Sequence, residues 1–452
     1  MGDGLFSQAA IKRDYKGLNM IHHQLSAIFK RMGRGLLVAV VIANALSIAL
    51  PAQPAQATTW YVATSGNNAN SCTSPGAPCR TINTTISRAG DGDVINIAAG
   101  TYVENVNLSK SLSLIGAGPG LTIIDGGGIG PVILITSDIA GTTANLSGLT
   151  MRNGEYGLGG GLHSESGIGV VTVSNSQIIN NVAYTGGGGI FSQGNLVLNT
   201  VLVENNRNNG TQRGGGLFNL GSATLTSVSF IGNTANLGGG IGNSGALTLT
   251  ASIINTNQAD EGGGIYNAGA GAQFTSSNNT YLGNHATSAG GAIYNATQTV
   301  DSGSLITGSL AATSGGGIYN HSTGQLSLNG TALRNNQAVS THGGGLYSDG
   351  NATLSGVIVR GNSADSGIGG GVYSAGSGTV TVLNAQISEN RAVNGGGLYI
   401  VSGSGSLTLV NSQITNNESD LSGGGLYGNI TANLTSVTVS NNRALSGKGG
   451  GI

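Results

Sequence analysis

Asp260 and Glu261, side by side, are the nearest this chain comes to a catalytic carboxylate pair. Acid–base work needs two such groups aimed at one substrate, whereas neighbours on a strand point to opposite faces. The pair therefore reads as a solvated turn. Glu155, Glu165, Glu204, Asp301, Asp349, Asp365, Glu389 and Asp420 stand at differing offsets within the repeat described below, so they form no acidic column. His163, His285, His321 and His342 lack both the i, i+4 spacing of a helical metal pair and a companion cysteine, and read as turn or surface residues. Matches to Gly-x-Gly-x-x-Gly are unavoidable among 82 glycines, and the Gly-Gly-x-Gly-x-Asp calcium repeat is absent. No catalytic residue, metal or cofactor is expected.

Binding chemistry has better candidates, because certain side chains recur in columns. From residue 159 a glycine pair or triplet followed by an aliphatic returns every 24 to 28 residues, aligning Leu162, Ile190, Leu217, Ile241, Ile265, Ile293, Ile318, Leu346, Val372, Leu398, Leu426 and Ile452. Directly after that aliphatic come Phe191, Phe218, Tyr266, Tyr294, Tyr319, Tyr347, Tyr373, Tyr399 and Tyr427, with His163 and Gly242 interrupting. If the aliphatic faces inward the ring faces outward. The column is then either a stripe for stacking on sugars or a partner protein, or a self-supporting stack that stabilises the coil. A second outward column holds Thr172, Thr224, Thr248, Thr275, Thr353, Thr381 and Thr408, broken by Val197, Val300, Ser327 and Asn433. A threonine array can bind ice, but only Thr224 with Thr226 and Thr248 with Thr250 form paired ranks, and β-propensity accounts for the others.

The elements that carry these columns follow from the same register. Asn181, Asn206, Asn233, Asn257, Asn284, Asn336, Asn362, Asn390, Asn417 and Asn442 lie before the aliphatic marks, with Ser309 standing in one copy. Three residues earlier the chain is apolar in every copy, for example Ile178, Phe230, Tyr281 and Ile387. Each repeat offers about three short strands between Gly, Asn and Ser turns and too few apolar residues for a core of its own, so stacking must bury them. Equivalent strands one turn apart at about 4.8 Å give a single-stranded right-handed parallel β-helix, an all-β solenoid, over residues 93–452. The Asn column then becomes an internal amide ladder.

Composition agrees: 8% of 452 residues are charged against roughly 25% in an average globular protein. With 6 prolines and no three-residue glycine period, collagen is excluded. After position 57 there are 11 basic and 16 acidic residues, a balance of −5 that favours neither nucleic acid nor an acidic membrane.

Lys30, Arg31 and Arg34 precede an apolar run over residues 36–50 and a small-x-small site ending at Ala57. The run is shorter than the roughly 20 residues needed to span a bilayer, so residues 1–57 read as a secretory signal with an upstream extension, and no membrane span is expected in the mature body. Residues 58–92 read as an N-terminal cap, with a short helix over 81–89 covering the first coil and a disulfide between Cys72 and Cys79, which export would preserve. At the other end Gly449-Gly450-Gly451-Ile452 opens a repeat without completing it, so a longer protein with a further cap or anchor is expected.

Gly290-Gly291-Ala292-Ile293 and Phe230 with Asn233 resemble the repeat signature of the chlamydial polymorphic outer-membrane proteins, although most copies here use Gly-Gly-Gly and Ile, Val or Leu. The resemblance covers residues 145–452 and implies a right-handed β-helix on the cell surface, often adhesive. Gly92-Asp93-Val94-Ile95, Gly100-Thr101-Tyr102-Val103 and residues 112–116 resemble the first turns of pectin methylesterases and other pectin-lyase-like proteins. Together these lead to the expectation of an exported, non-enzymatic surface or extracellular protein, adhesin-like or structural, contacting a glycan or a surface protein of a host or neighbouring cell. The alternative is a pectin-lyase-like carbohydrate-active enzyme, lyase or hydrolase, and a lesser one is an ice-binding protein.

Overall fold

Stacking of incomplete repeats governs the architecture of the computed structural model, which describes residues 57–452 except 137–140, 377, 402–405 and 429–431. The expected secretory segment lies outside the described residues. Each rung pairs in parallel with its equivalent one repeat on, in register: Val173 meets Leu198, Leu198 meets Leu225 and Leu225 meets Leu249. The chain thus forms the expected all-β, right-handed parallel β-helix, the hand that parallel crossovers adopt. Its strands run in a broad sheet of 27 strands, a second of 13, and a third face of short strands, two to six residues long, in groups of three and eight. The apolar columns point inward: Ile178, Val203, Phe230, Ile254, Tyr281 and Ile306 are fully buried.

The solenoid begins earlier than the expected boundary at residue 93. Strand β1 (Thr59–Val62) pairs in parallel with β2 (Val94–Ile97), so the segment read as cap supplies the first strand of the broad sheet. Asp93 organises this start, accepting from Thr58 N (2.6 Å), Trp60 Nε1 (2.8 Å) and Gly90 N (2.8 Å). The capping helix α1 (Ile82–Arg88) buries Ile82, Thr85 and Ile86. Glu104 accepts from its first free amides, Ile82 N and Asn83 N, at 2.9 and 3.1 Å, which satisfies donors the helix cannot pair itself. Cys72 and Cys79 are bonded, and Arg88 donates to the carbonyls of Asn68 and Asn70 beside them.

The Asn column is an internal ladder. Asn206 Oδ1 accepts from both N and Nδ2 of Asn181, at 3.0 and 2.9 Å, while Asn206 Nδ2 donates to Ile178 O and to Asn233 Oδ1. The pattern repeats through Asn233 and Asn257 to Asn284, and again from Asn336 through Asn362, Asn390 and Asn417 to Asn442. Glycine permits it. A Cβ on the third glycine of each triplet would stand 3.1–3.3 Å from the following Asn amide at Gly264, Gly317 and Gly345. The one rung with alanine there, Ala292, is the one in which Ser309 replaces Asn, and Ser309 Oγ is buried without a partner. The two departures form one compensated change.

Ser309→Asn alone should therefore gain little, because its amide meets the Ala292 methyl. Combined with Ala292→Gly it should complete the ladder and add about 1 kcal/mol, a net value typical of buried hydrogen bonds. Thermal unfolding of the four members of this cycle checks the coupling.

Asp93 makes a second prediction. Burial alone would raise its carboxyl, but the bonds from Trp60, Gly90 and Thr58 and the charge of Lys110 outweigh it and hold the pKa below the ordinary value. A depressed carboxyl contributes stability above its unfolded pKa and loses it as pH falls through the folded one. Fluorescence of Trp60, the single tryptophan, should report loosening of the first rung on acidification, and Asp93→Asn should abolish that transition.

Candidate functional site

The outer side of the 13-stranded sheet carries the aromatic column, because alternation turns the residue after each buried aliphatic outward. Tyr266, Tyr294, Tyr319, Tyr347, Tyr373, Tyr399 and Tyr427 stack ring on ring. Centroids lie 4.7 to 5.7 Å apart and planes differ by 6 to 24°. Before them Phe191 and Phe218 tilt together at 5.7 Å, and His163 lies 5.2 Å from Phe191. Tyr294 and Tyr373 are 8% and 7% exposed, so the stack shields itself and shows mainly ring edges and hydroxyls.

Gly242 removes one ring, and Arg213 fills the gap. Its guanidinium lies 4.9 Å from the Tyr266 centroid and donates to Ser244 Oγ and Ala268 O. A Cβ on Gly242 would come within 2.3 Å of Arg213 Cβ. Arginine thus closes the stack through a cation–π contact.

Three further groups converge on its middle. Tyr347 OH reaches both oxygens of Asp349 at 3.2 and 3.3 Å, and the His321 ring lies 6.3 Å from that of Tyr294. Burial pushes the Glu261 carboxyl above its ordinary value, with His321 opposing and Asp260 adding to the shift. Burial also pushes the Tyr319 hydroxyl up to about 12, reinforced by Asp349 and Glu261, and raises Tyr294 and Tyr347 in the same direction. Glu261, expected as a solvated turn residue, is therefore half-buried against the stack. Proton exchange and hydrogen bonding to a polyhydroxylated ligand are the chemistry this arrangement offers.

Two interior features escaped the sequence reading. Two residues after the aliphatic mark, Asn219, Asn243, Asn267, Asn295 and Asn320 form a second amide ladder, each Nδ2 donating to the next Oδ1 at 2.8–3.0 Å. The signal was present as a column in the sequence, beside the aromatic one. Asp301 is fully buried and accepts from Ser304 Oγ and Thr331 Oγ1, while Ser276 Oγ and Tyr281 OH lie 2.9 Å apart in the same core. Among the described residues no group of three or more His, Cys, Asp or Glu side chains is placed to hold a metal ion.

No family model matches the chain, and no curated protein matches it. Among solved structures, it is similar to the Azotobacter vinelandii mannuronan C-5 epimerase AlgE6 A-module. Identity there is 13%, covering 80% of this chain and 94% of the other, with a TM-score of 0.35. Pectate lyase Pel9A matches at 14% identity over 72% of this chain and 76% of that one, TM-score 0.29. The GH136 lacto-N-biosidase from Eubacterium ramulus matches at 9% identity over 84% and 67%, TM-score 0.30. The parallel β-helix itself stands on this chain's own strand pairing.

Raised phenol pKa values make the stack a source of alkaline lability. Its contribution is complete below the ordinary tyrosine value of 10.0 and is lost as pH climbs through the folded values. Ultraviolet titration should show the stacked tyrosines ionising late, with unfolding close behind. Tyr319→Ala, which removes two stacked pairs, should cost ~1–3 kcal/mol, whereas Tyr319→Phe should leave stability nearly unchanged.

Proposed function

We propose that this protein is an exported β-helix that binds a linear glycan along its tyrosine face, at the cell surface or outside the cell, without turning it over. The observation that carries the reading is the row of tyrosine rings whose centroids repeat at 4.7–5.0 Å from Tyr266 to Tyr373, close to the length of one pyranose residue in an extended chain. Because the rings stack on one another, a sugar would meet hydroxyls and edges, with Glu261, His321 and Asp349 as further hydrogen-bonding groups. Glu261 and Asp349 are acidic and Arg213 is committed to Tyr266. A polyuronate would therefore be repelled, and a neutral glycan is the favoured ligand. The polymorphic-membrane-protein-like motif and the export segment support exposure to a host or neighbouring cell.

A carbohydrate-active enzyme, lyase or hydrolase, is the second reading, favoured by one feature. Glu261, its carboxyl raised by burial, lies with Asp349 beside Tyr294 and Tyr319, and a carboxyl raised by burial is what a general acid requires.

A glycan array followed by calorimetry and product analysis on the full chain separates the two. Binding of neutral oligosaccharides without products, weakened in Tyr319→Phe and Tyr347→Phe while stability holds, is expected. Products that vanish in Glu261→Gln would establish the second reading; neither binding nor turnover would contradict both.

A further inference from the structure

The broad sheet presents a second surface, independent of the tyrosine face. Its first strand in each rung turns three side chains outward, and ten successive pairings from Val170 to Thr435 keep one register without a shift. None of the outward residues before the bend in those pairings, from Val170–Ser174 to Ala432–Thr435, is charged. Beyond the bend, the next strand on the same sheet does carry charge, at Glu204, Arg334 and Arg360.

The structure extends the paired ranks past the two pairs visible in the sequence. Thr224 and Thr226 lie beside Thr248 and Thr250, and these beside Thr275 and Ser277. Thr250 and Ser277 hydroxyls stand 3.2 Å apart. Val197 and Val300, which interrupt the threonine column, keep its methyl and its shape. From Thr224 to Ser277 the result is a patch of methyl and hydroxyl groups repeating at about 4.8 Å across rungs and roughly 6.6 Å along each strand, bordered in the first outward rank by Gln273, Gln298, Gln325 and Asn351.

We infer that this face binds ice, taking the ordered water of a crystal surface as its ligand. Three properties point there together. The rung repeat is close to the oxygen repeat along an a axis of hexagonal ice. Methyl groups order the water above them, and hydroxyls can bond into that layer. A charge would hold its own hydration shell against the lattice, and the face has none, which matches a neutral hydroxyl lattice.

The test is thermal hysteresis and ice-crystal shaping by the full chain, beside Thr248→Lys/Thr275→Lys and, on the other face, Tyr319→Phe. Wild type and Tyr319→Phe should both depress the freezing point below the melting point and facet the crystals. The double lysine variant should lose both effects with its circular dichroism unchanged. Absence of hysteresis and shaping in the wild type overturns the inference, as does their persistence in the lysine variant. Retention of both the wild type and Tyr319→Phe on a crystalline polysaccharide, lost in the double lysine variant and without hysteresis, also overturns it, assigning the face to a glycan. Because Tyr319→Phe reports on glycan binding separately, either function can fail while the other stands.

Discussion

Every rung of this protein lies directly on an equivalent rung, and that single constraint decides what each position can hold. A side chain inside the coil meets its own kind above and below. Leucine on leucine buries apolar surface; asparagine on asparagine works because the amide has one acceptor oxygen and two donor hydrogens, enough to bond along the axis and still satisfy a backbone carbonyl. The Asn181 and Asn219 ladders are thus the polar form of the register that the aliphatic columns express in apolar form. Where the form breaks, two positions change together, as Ala292 and Ser309 do.

The same constraint acts on the outer surface. Aromatic residues repeated once per rung have no choice but to stack, and stacked rings spend their faces on each other. What remains for a ligand is the hydroxyl row and the groups beside it, which shifts recognition from ring stacking to hydrogen bonding. Arg213 illustrates how strictly the spacing is kept: a missing ring at Gly242 is replaced by another planar group of similar thickness.

Much of this was legible in the sequence because periodicity is a direct record of stacking. The aliphatic, aromatic and Asn181 columns appear as spacing alone, and the coil follows from them. The start of the solenoid did not, since β1 (Thr59–Val62) is separated from its partner by the disulfide loop and α1 (Ile82–Arg88), and no repeat marks it. Nor did the site around Glu261, because Glu261 precedes its aliphatic mark whereas Tyr294, His321 and Asp349 follow the marks of later rungs. Asp301 stands in the strand column of Val173, Leu198 and Leu328, so its rung position was legible, but what satisfies its carboxylate there was not. Its burial depends on Ser304 and Thr331, whose hydroxyls face inward at a bend that the pattern does not mark.

The central claim is the in-register stacking itself, and a distance measures it most directly. Cys72 and Cys79 are bonded to each other and no other cysteine is present, so spin labels attach only where cysteine is introduced. Labels at Thr224 and Thr353, five rungs apart by the pairing through Thr248, Thr275, Val300 and Ser327, should give one narrow pulsed-resonance distance near ~24 Å, five times the rung spacing. A broad distribution, or a single distance far from that value, would contradict the account.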